Sequence, residues 1–194
     1  MQEYKQNLIK LMTEHEVLLF GDFTTKSGRK TNYFVNMGKF KSGSAIKKLG
    51  SIYAQYIYEN LRDDVDVLFG PAYKGIPLVV AVAIALYNDY GLNIDLCFNR
   101  KEVKDHGEGG SFIGANLQGK RVLIIEDVIT AGTAVREVLP LIKSANVTSV
   151  NHMLVAVDRM EKGVGENLAK DELFEEFGVK VHSLINKDEL LASR

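Results

Sequence analysis

The sequence predicts one α/β domain with a mainly parallel, doubly wound sheet flanked by helices. Apolar runs without alternation, such as Val122-Leu123-Ile124-Ile125, are typical of strands covered on both faces, and covered sheets are usually parallel. Helical patterns separate these runs, and regular strand–helix alternation is the signature of doubly wound domains. The chain has 194 residues, the length of a single domain, and its 46% apolar fraction is ordinary for a globular protein.

The N-terminal segment, about residues 1–40, predicts a helix followed by a hairpin or hood. Apolar residues recur at helical spacing near the N-terminus, and this helix is expected to continue to Gly21. Two short apolar stretches then flank the basic segment 26–32, one around Phe23 and the other at 33–35. We expect a flap with a basic tip that lies outside the core.

Strand and helix patterns alternate through the rest of the chain. Ser42 or Ser44 is expected to cap the first of these helices. The apolar face of that helix carries Tyr53 and Tyr56 and forms either core or a dimer surface. The acidic string 171–176 predicts a solvated helix face. Predicted strands cover residues 65–69, 94–98, 122–125, 147–157 and 179–181, and predicted helices cover 76–90, 131–143 and 166–177.

Composition and charge exclude several classes of protein. The 24 Lys and Arg residues balance 25 Asp and Glu, and the net charge of −1 argues against nucleic-acid binding through a bulk basic surface. The single cysteine, Cys97, can form no internal disulfide. No apolar run reaches the ~20 residues that span a bilayer, and the polar N-terminus is unlike a signal peptide. We therefore expect a cytoplasmic protein that binds neither nucleic acid nor membrane.

The ligand site is expected beyond the carboxyl ends of the parallel strands, where doubly wound sheets bind their ligands. In the segment 122–134, an apolar strand delivers Glu126 and Asp127, and a loop of small residues then opens a helix. Main-chain N–H groups at a helix start bind anions, and Gly132 lets a phosphate approach the backbone closely. The two carboxylates can accept hydrogen bonds from sugar hydroxyls or face a developing positive charge. An acidic turn before a helix capped by threonine is the alternative.

Two further loops carry cations next to glycines. In the loop 70–75 the glycines suit a tight turn and Lys74 suits a pyrophosphate, with a solvated lysine on a Gly-Pro turn as the alternative. Residues 100–112 combine basic side chains with three glycines, which is typical of a mobile lid that orders over a polyanion. Interspersed acidic residues leave a mixed-charge solvated loop as the alternative. The cations of this lid are Arg100, Lys101, Lys104 and His106.

The segment 122–134 resembles the phosphoribosyl-pyrophosphate (PRPP) motif of type I phosphoribosyltransferases. Both have an apolar strand, an acidic pair, two apolar residues and then Thr-Ala-Gly-Thr, although many members have Asp-Asp where this chain has Glu126-Asp127. Within that family, the loops 23–30, 70–77 and 98–110 resemble those of orotate phosphoribosyltransferases, in the expected order. The resemblance covers about residues 15–190, and the basic loop is its most specific motif.

The resemblance implies transfer of the phosphoribosyl group from PRPP to orotate, with release of pyrophosphate, in pyrimidine biosynthesis. It implies Mg²⁺ as cofactor, held mainly by PRPP and water with no direct protein ligand. The implied catalytic residues are Lys26, Lys104, Glu126 and Asp127. The implied PRPP-binding residues are these four together with Tyr73, Lys74, Arg100, Lys101, His106, Val128, Ile129, Thr130, Ala131, Gly132, Thr133 and Ala134.

The resemblance also assigns an orotate site. Arg159 would bind the orotate carboxylate, because a guanidinium can hold a planar carboxylate bidentately. Phe34 and Val35 correspond to an aromatic pair that often covers the pyrimidine ring. The second position is valine in this chain, so stacking rests on Phe34. Lys26 and Thr130 complete the site. In the family the basic loop closes over the neighbouring subunit's site, and we therefore expect a homodimer in which this loop acts in trans.

Three other functions share parts of these patterns. A phosphoribosyltransferase for another nucleobase would have the 126–134 motif, but would not be expected to combine it with Lys26, the basic loop and Arg159. A PRPP-sensing regulator without catalytic activity would need a DNA-binding region or a basic face, and the balanced charge offers neither. An enzyme fused to the decarboxylase of the next step would need a longer chain. The enzyme acting on orotate is therefore the predicted function.

Overall fold

The structure, a computed structural model, describes residues 2–24, 30–104 and 110–193, except for the side chains at 103 and 104. Its helices are α1 (Glu3–Glu14), α2 (Gly43–Asn60), α3 (Gly75–Tyr90), α4 (Thr133–Ser144), α5 (Ala169–Phe177) and α6 (Lys187–Ala192). Its strands are β1 (Leu18–Thr24), β2 (Lys30–Val35), β3 (Val67–Gly70), β4 (Asp95–Lys104), β5 (Gly110–Gly114), β6 (Arg121–Ile129), β7 (Ser149–Asp158) and β8 (Lys180–Asn186). Among the described residues, no helix is long and apolar enough to cross a bilayer.

Six strands form one sheet in the order β5-β4-β3-β6-β7-β8. Strands β3, β4, β6, β7 and β8 run parallel, and β5 at one edge runs antiparallel to β4. The chain proceeds from β3 towards one edge of the sheet and from β6 towards the other. The carboxyl ends of β3 and β6 therefore border the crevice in which open α/β sheets bind ligands. This sheet confirms the predicted fold class.

Helices cover both faces of the sheet. On one face, Leu123 and Ile125 of β6 belong to a buried cluster that includes side chains of α1, α2 and α3. On the other face, Val122 and Ile124 belong to a second cluster that includes side chains of α4 and α5. Because both faces bury apolar side chains, the run 122–125 shows no polar alternation in the sequence.

The N-terminal helix is shorter than predicted. α1 ends at Glu14, and Glu16 follows with a φ of 56°, in the left-handed region that ends helical geometry. The chain then enters β1, where Leu18 lies opposite Val35 of β2 in an antiparallel pair. The prediction that the helix continues to Gly21 was wrong, because the apolar run at 17–20 satisfies a strand as well as a helix and pairing with β2 decides between them.

The predicted hairpin is present as the two-stranded sheet of β1 and β2, and its tip at 25–29 lies outside the described residues. The expectation that it stands apart from the core was wrong. Leu18 and Tyr33 are each only 2% exposed and pack in the same cluster as α1 and α2. One face of the hairpin therefore covers the domain, and the other face remains available.

Other elements reach further than predicted. β4 continues to Lys104 and β5 begins at Gly110, so the ends of the segment predicted as a loop at 100–112 form two antiparallel arms. Residues 105–109 between these arms lie outside the described part of the chain. β6 continues to Ile129, so the acidic pair belongs to the strand and not to the loop after it. α6 was not predicted.

Candidate active site

The acidic pair lies near the carboxyl end of β6, where hydrogen bonds to β7 hold the backbone. Glu126 lies opposite Val155 in this parallel pair. The Oε1 of Glu126 accepts a hydrogen bond from the N–H of Asp127 at 3.0 Å, and the Oδ1 of Asp127 accepts one from the N–H of Val128 at 2.7 Å. Each carboxylate is therefore fixed to the strand by its own local hydrogen bond.

The two carboxylates differ in environment. Burial, and next the nearby Asp127 carboxylate, raise the pKa of Glu126 to about 7, although the hydrogen bond from the Asp127 N–H opposes this shift. Asp127 keeps 14% of its side chain exposed, and its Oδ2 lies 3.4 Å from the Nζ of Lys74. Both carboxyls are thus partly buried, and Asp127 is the one that lies next to a cation.

The loop after β6 opens a helix without a side-chain cap. Gly132 precedes α4 with a φ of 78°, and no side chain caps the helix at this residue. Thr130 and Thr133 beside it are exposed. The first N–H groups of a helix have no partner within the helix, so those of α4 remain available to an anion. The alternative in which a threonine caps this helix is therefore not the one observed.

The loop between β3 and α3 is a tight turn next to the acidic pair. A Cβ at Gly70 would lie 2.4 Å from the carbonyl oxygen of Gly75, so these glycines allow the loop to close. The turn presents Tyr73 and Lys74, whose side chains are 70% and 71% exposed. Its Ala72–Tyr73 peptide bond is cis.

The same loop is attached to β4 through a residue that sequence reasoning missed. Asn99 accepts a hydrogen bond on Oδ1 from the N–H of Ala72 at 2.9 Å. On the same strand, the Nζ of Lys101 lies 6.0 Å from the ring centroid of Tyr73, within cation–π range. The Nε of Arg100 is buried and has no hydrogen-bond partner among the described residues. The structure thus brings four of the predicted PRPP residues together, namely Tyr73, Lys74, Lys101 and Asp127.

Arg159 follows β7 and faces the N-terminal hairpin. Its N–H donates to the carbonyl oxygen of Ile129 at 3.2 Å, and its guanidinium lies 5.5 Å from the ring centroid of Tyr33. Its Nε lies 2.9 Å from Glu161 Oε1, an ion pair without the alignment of a hydrogen bond. A cavity of about 620 Å³ separates the hairpin residues 22–24 and 30–33 from the segment 159–161.

The predicted orotate-stacking residues belong to β2 of the hairpin, and among the described residues neither of them contacts Arg159. Phe34 is 42% exposed, and its ring lies 5.6 Å from that of Phe23. Val35 packs against the core instead. The predicted roles of these two residues remain predictions. Lys26, His106 and the side chain of Lys104 lie outside the described part of the chain.

The carboxylate of Glu172 is buried behind the site, whereas the other acidic residues of the string 171–176 form the predicted solvated face of α5. Glu172 is buried, and its oxygens accept hydrogen bonds from the N–H of Val164 at 2.8 Å and of Gly165 at 2.9 Å. It also accepts one from Arg136 of α4 at 2.9 Å. Glu172 therefore joins the helix after the anion loop to the segment that follows Arg159. The signal in the sequence that could have indicated this contact is the pair Gly163 and Gly165, which lies shortly before the acidic helix.

Comparison with known proteins identifies the class first. The phosphoribosyl transferase domain model matches residues 37–184, which include the acidic pair, both loops and Arg159, and the chain belongs to this family. Within the family it groups with the orotate phosphoribosyltransferases, as the resemblance in the sequence predicts.

Both sequences and a solved structure support that grouping. The orotate phosphoribosyltransferase of Clostridium acetobutylicum is 53% identical over 192 residues, which are 98% of this chain and 86% of that protein. The one from Haemophilus influenzae is 49% identical over 191 residues, covering 98% of this chain and 88% of its own length. The crystal structure from Francisella tularensis is 37% identical with a TM-score of 0.85, and the match covers 95% of this chain and 88% of that one.

Proposed function

We propose that this protein transfers the phosphoribosyl group from PRPP to orotate, giving orotidine 5′-monophosphate and pyrophosphate, in pyrimidine biosynthesis. One observation carries the proposal: Glu126 and Asp127 lead directly into an uncapped helix start, and Lys74 lies 3.4 Å from Asp127. This arrangement offers an anion site, two sugar-hydroxyl acceptors and a pyrophosphate cation in one crevice. The family membership supports the same reaction.

The reaction breaks the C1–O bond of the ribose and forms a bond from C1 to a ring nitrogen of orotate. Pyrophosphate leaves with the electron pair of the C1–O bond, and the orotate nitrogen supplies the pair for the new bond from the opposite face. Between these events C1 has oxocarbenium character. Catalysis therefore requires stabilisation of a developing cation and of the departing pyrophosphate. Orotate is readily deprotonated at this nitrogen, so the reaction needs no strong protein base.

Glu126 and Asp127 would accept hydrogen bonds from the ribose hydroxyls and place negative charge near C1. Their local hydrogen bonds to the strand support this role, because fixed acceptors need little reorganisation during the reaction. The N–H groups and hydroxyls of residues 128–134 would bind the 5′-phosphate. That remote contact would hold the ribose in position for attack.

The pyrophosphate would be bound by a set of cationic side chains around the β3–α3 loop. The position of Lys74 beside Asp127 and of Lys101 over the ring of Tyr73 supports this. The buried Nε of Arg100, which finds no hydrogen-bond partner in the described ranges, also supports it. The remaining members of the set are the predicted residues Lys26, Lys104 and His106. Positive charge from these groups offsets the charge that develops on pyrophosphate as the bond breaks.

Mg²⁺ is proposed to enter with PRPP. The oxygen chemistry of the site suits this hard cation, because Asp127 is a partly exposed carboxylate beside the proposed pyrophosphate position. Asp127 would accept hydrogen bonds from water bound to the ion, and PRPP and water would supply the ligands themselves. When bound, Mg²⁺ would add positive charge to the pyrophosphate that leaves.

Orotate would bind between the hairpin and the carboxyl end of β7. Arg159 is proposed to hold the carboxylate of orotate, and its position at the cavity of about 620 Å³ supports this role. Phe34 would stack on the pyrimidine ring, with Val35, Thr130 and Lys26 as further contacts. The Glu161 carboxylate now beside Arg159 would have to yield part of that guanidinium to orotate.

We further propose a cytoplasmic homodimer in which the loop containing Lys104 enters the site of the neighbouring subunit. A mixture of Lys104→Ala and Arg159→Ala chains tests this arrangement. If the two residues act from different subunits, mixed dimers contain one intact site and activity returns to about a quarter of the wild-type level. If both residues act within one chain, no mixed dimer has an intact site and activity stays at that of the single variants.

The reaction is tested by the loss of orotate ultraviolet absorbance with purified protein, PRPP and Mg²⁺. Uracil, hypoxanthine and adenine are measured in parallel. Consumption of orotate alone, dependent on PRPP, is the expected result. Turnover of another base would indicate a different specificity within the family. PRPP binding without turnover of any base would instead favour the PRPP-sensing alternative.

A further inference from the structure

A buried tyrosine is hydrogen-bonded to the backbone of the acidic pair. Tyr53 lies in α2 and is fully buried against the sheet. Its Oη donates a hydrogen bond to the main-chain carbonyl oxygen of Glu126 at 2.8 Å. A phenol buried in an apolar core needs such a partner, and here the partner is the residue that supplies one of the two carboxylates.

This hydrogen bond reaches β6 where the strand has lost one neighbour. The pairing of β3 with β6 ends at Phe69 and Ile124, two residues before Glu126. The pairing of β6 with β7 continues through Ile129. The Tyr53 hydroxyl therefore adds a second attachment, from a helix, at the position where the sheet itself holds Glu126 from one side only.

The environment of the hydroxyl keeps it a donor. Burial raises the pKa of Tyr53 well above its ordinary value, and the carboxylates of Asp127 and Glu126 raise it further, although the Ala156 N–H opposes them. A phenol with this pKa retains its proton throughout the pH range in which an enzyme works. The hydrogen bond to the Glu126 carbonyl is thus available at every pH of interest.

We propose that Tyr53 is a positioning residue for the acidic pair: its hydroxyl fixes the Glu126 peptide, and so aims the carboxylates of Glu126 and Asp127 at the ribose hydroxyls of PRPP. This inference rests on the proposed function, since it assigns those carboxylates to the ribose. Tyr53 touches neither the substrate nor the reacting atoms. Its effect should therefore appear in PRPP binding and not in orotate binding.

The same helix supplies a matched control. Tyr56 lies one turn further along α2, and its Oη lies 3.0 Å from the Nδ1 of His182. The Nε2 of that histidine lies 3.1 Å from the Nδ1 of His152. Tyr56→Phe therefore removes a phenol hydroxyl from the same helix, and breaks one hydrogen bond, away from the acidic pair.

The test compares Tyr53→Phe with Tyr56→Phe by calorimetric titration with PRPP and Mg²⁺. Phenylalanine keeps the ring that fills the core, so both variants should fold with a modest loss of thermal stability. Tyr53→Phe should raise the Kd of PRPP by about three- to tenfold, the effect of one lost hydrogen bond, and leave the KM of orotate within twofold. Tyr56→Phe should change neither. Equal PRPP affinity in the two variants would overturn the proposal.

A second comparison separates positioning from general weakening of the fold. In a Glu126→Gln, Asp127→Asn background both carboxylates are absent, so Tyr53→Phe should lose most of its effect on the Kd of PRPP. A full threefold or larger effect in that background would show that Tyr53 acts in another way. Because these titrations need no turnover, they remain informative if orotate is not consumed and the proposed reaction fails.

A label that keeps the hydroxyl covers the case in which Tyr53→Phe does not fold. 3-Fluorotyrosine is placed at position 53 in one sample and at position 56 in another, and ¹⁹F spectra are recorded before and after addition of PRPP with Mg²⁺. The resonance at position 53 should shift on binding while that at position 56 stays in place. An unchanged resonance at position 53 in protein that binds PRPP would overturn the proposal.

Discussion

The two sides of the crevice are built differently. On the β6 side, Glu126 and Asp127 are both partly buried, and each carboxylate accepts a main-chain hydrogen bond. On the opposite side, Tyr73 and Lys74 are about 70% exposed. We call these the acidic side and the cationic side. The acidic side is organised before any substrate arrives, whereas the cationic side consists of long side chains that can adjust to a polyanion.

The largest expected effect is at Lys104, a predicted pyrophosphate-binding residue that would add to the charge of the cationic side. If this lysine stabilises charge that develops on pyrophosphate, Lys104→Ala should lower kcat by about 10²-fold and leave the melting temperature unchanged. Steady-state assays and thermal unfolding measure both quantities. Lys120→Ala, which removes an exposed lysine just before the amino end of β6, is the control. A wild-type kcat in Lys104→Ala would remove this residue from the catalytic set.

The next effect concerns Arg159, which resembles the acidic side in being held before substrate arrives, because its guanidinium lies 5.5 Å from the ring centroid of Tyr33. Arg159→Ala should raise the KM of orotate by about 10- to 100-fold, the effect of losing a charge-assisted pair, and leave the Kd of PRPP nearly unchanged. Arg159→Lys should recover only part of the loss, because an ammonium group lacks the planar fork. Equal weakening of both substrates would indicate a damaged fold.

A smaller effect, of about tenfold, is expected from the pH dependence of the acidic side. Because the pKa of Glu126 is raised to about 7, this carboxyl is protonated below that pH and loses acceptor capacity. The kcat/KM for PRPP should therefore fall about tenfold from its plateau to one pH unit below the pKa. Glu126→Gln should lower the plateau and abolish this limb.

The comparison of the two profiles controls for the substrate. The phosphates of PRPP titrate identically in assays of the wild type and of Glu126→Gln, so the ratio of the two kcat/KM values isolates the Glu126 carboxyl. A ratio that stays constant between pH 6 and pH 8 would mean that another group governs the profile.

The smallest effect is expected in stability on the cationic side. The Lys74–Asp127 pair involves a lysine that is 71% exposed, and exposed pairs contribute little. Lys74→Met should therefore change the free energy of unfolding by less than about 0.5 kcal/mol, while PRPP affinity falls severalfold. Urea denaturation and calorimetric titration measure the two. A large loss of stability would show that the cationic side is also organised in advance.

Much of the fold was predictable because burial on both sheet faces leaves a direct trace in the sequence. The run 122–125, the helix beginning after Ser42 and the helix ending at Tyr90 were all identified correctly. Ser42 indeed caps α2 by accepting a hydrogen bond from Ala45. The errors fall where pairing partners decide the structure. The residues 17–20 become strand only because β2 lies beside them, and no local pattern contains that information.

The residues of the loops that form the site were predictable, whereas the residues that hold these loops in place were not. The acidic pair, the glycine turns and Arg159 were identified because each belongs to a short contiguous motif. Tyr53, Asn99 and Glu172 were missed, since each acts through a residue distant in the chain. The periodicity of α2 left Tyr53 as core or dimer surface, and only the packed structure shows its hydroxyl beneath Glu126.

The buried carboxylate of Glu172 also limits how the chain can vary. A Cβ at Gly163 would lie 2.0 Å from the Oε2 of Glu172. That oxygen cannot move aside freely, because Val164 and Arg136 both donate to it. Any residue other than glycine at position 163 would therefore clash with Glu172. An alanine at 163 should be tolerated only when a residue shorter than glutamate stands at 172.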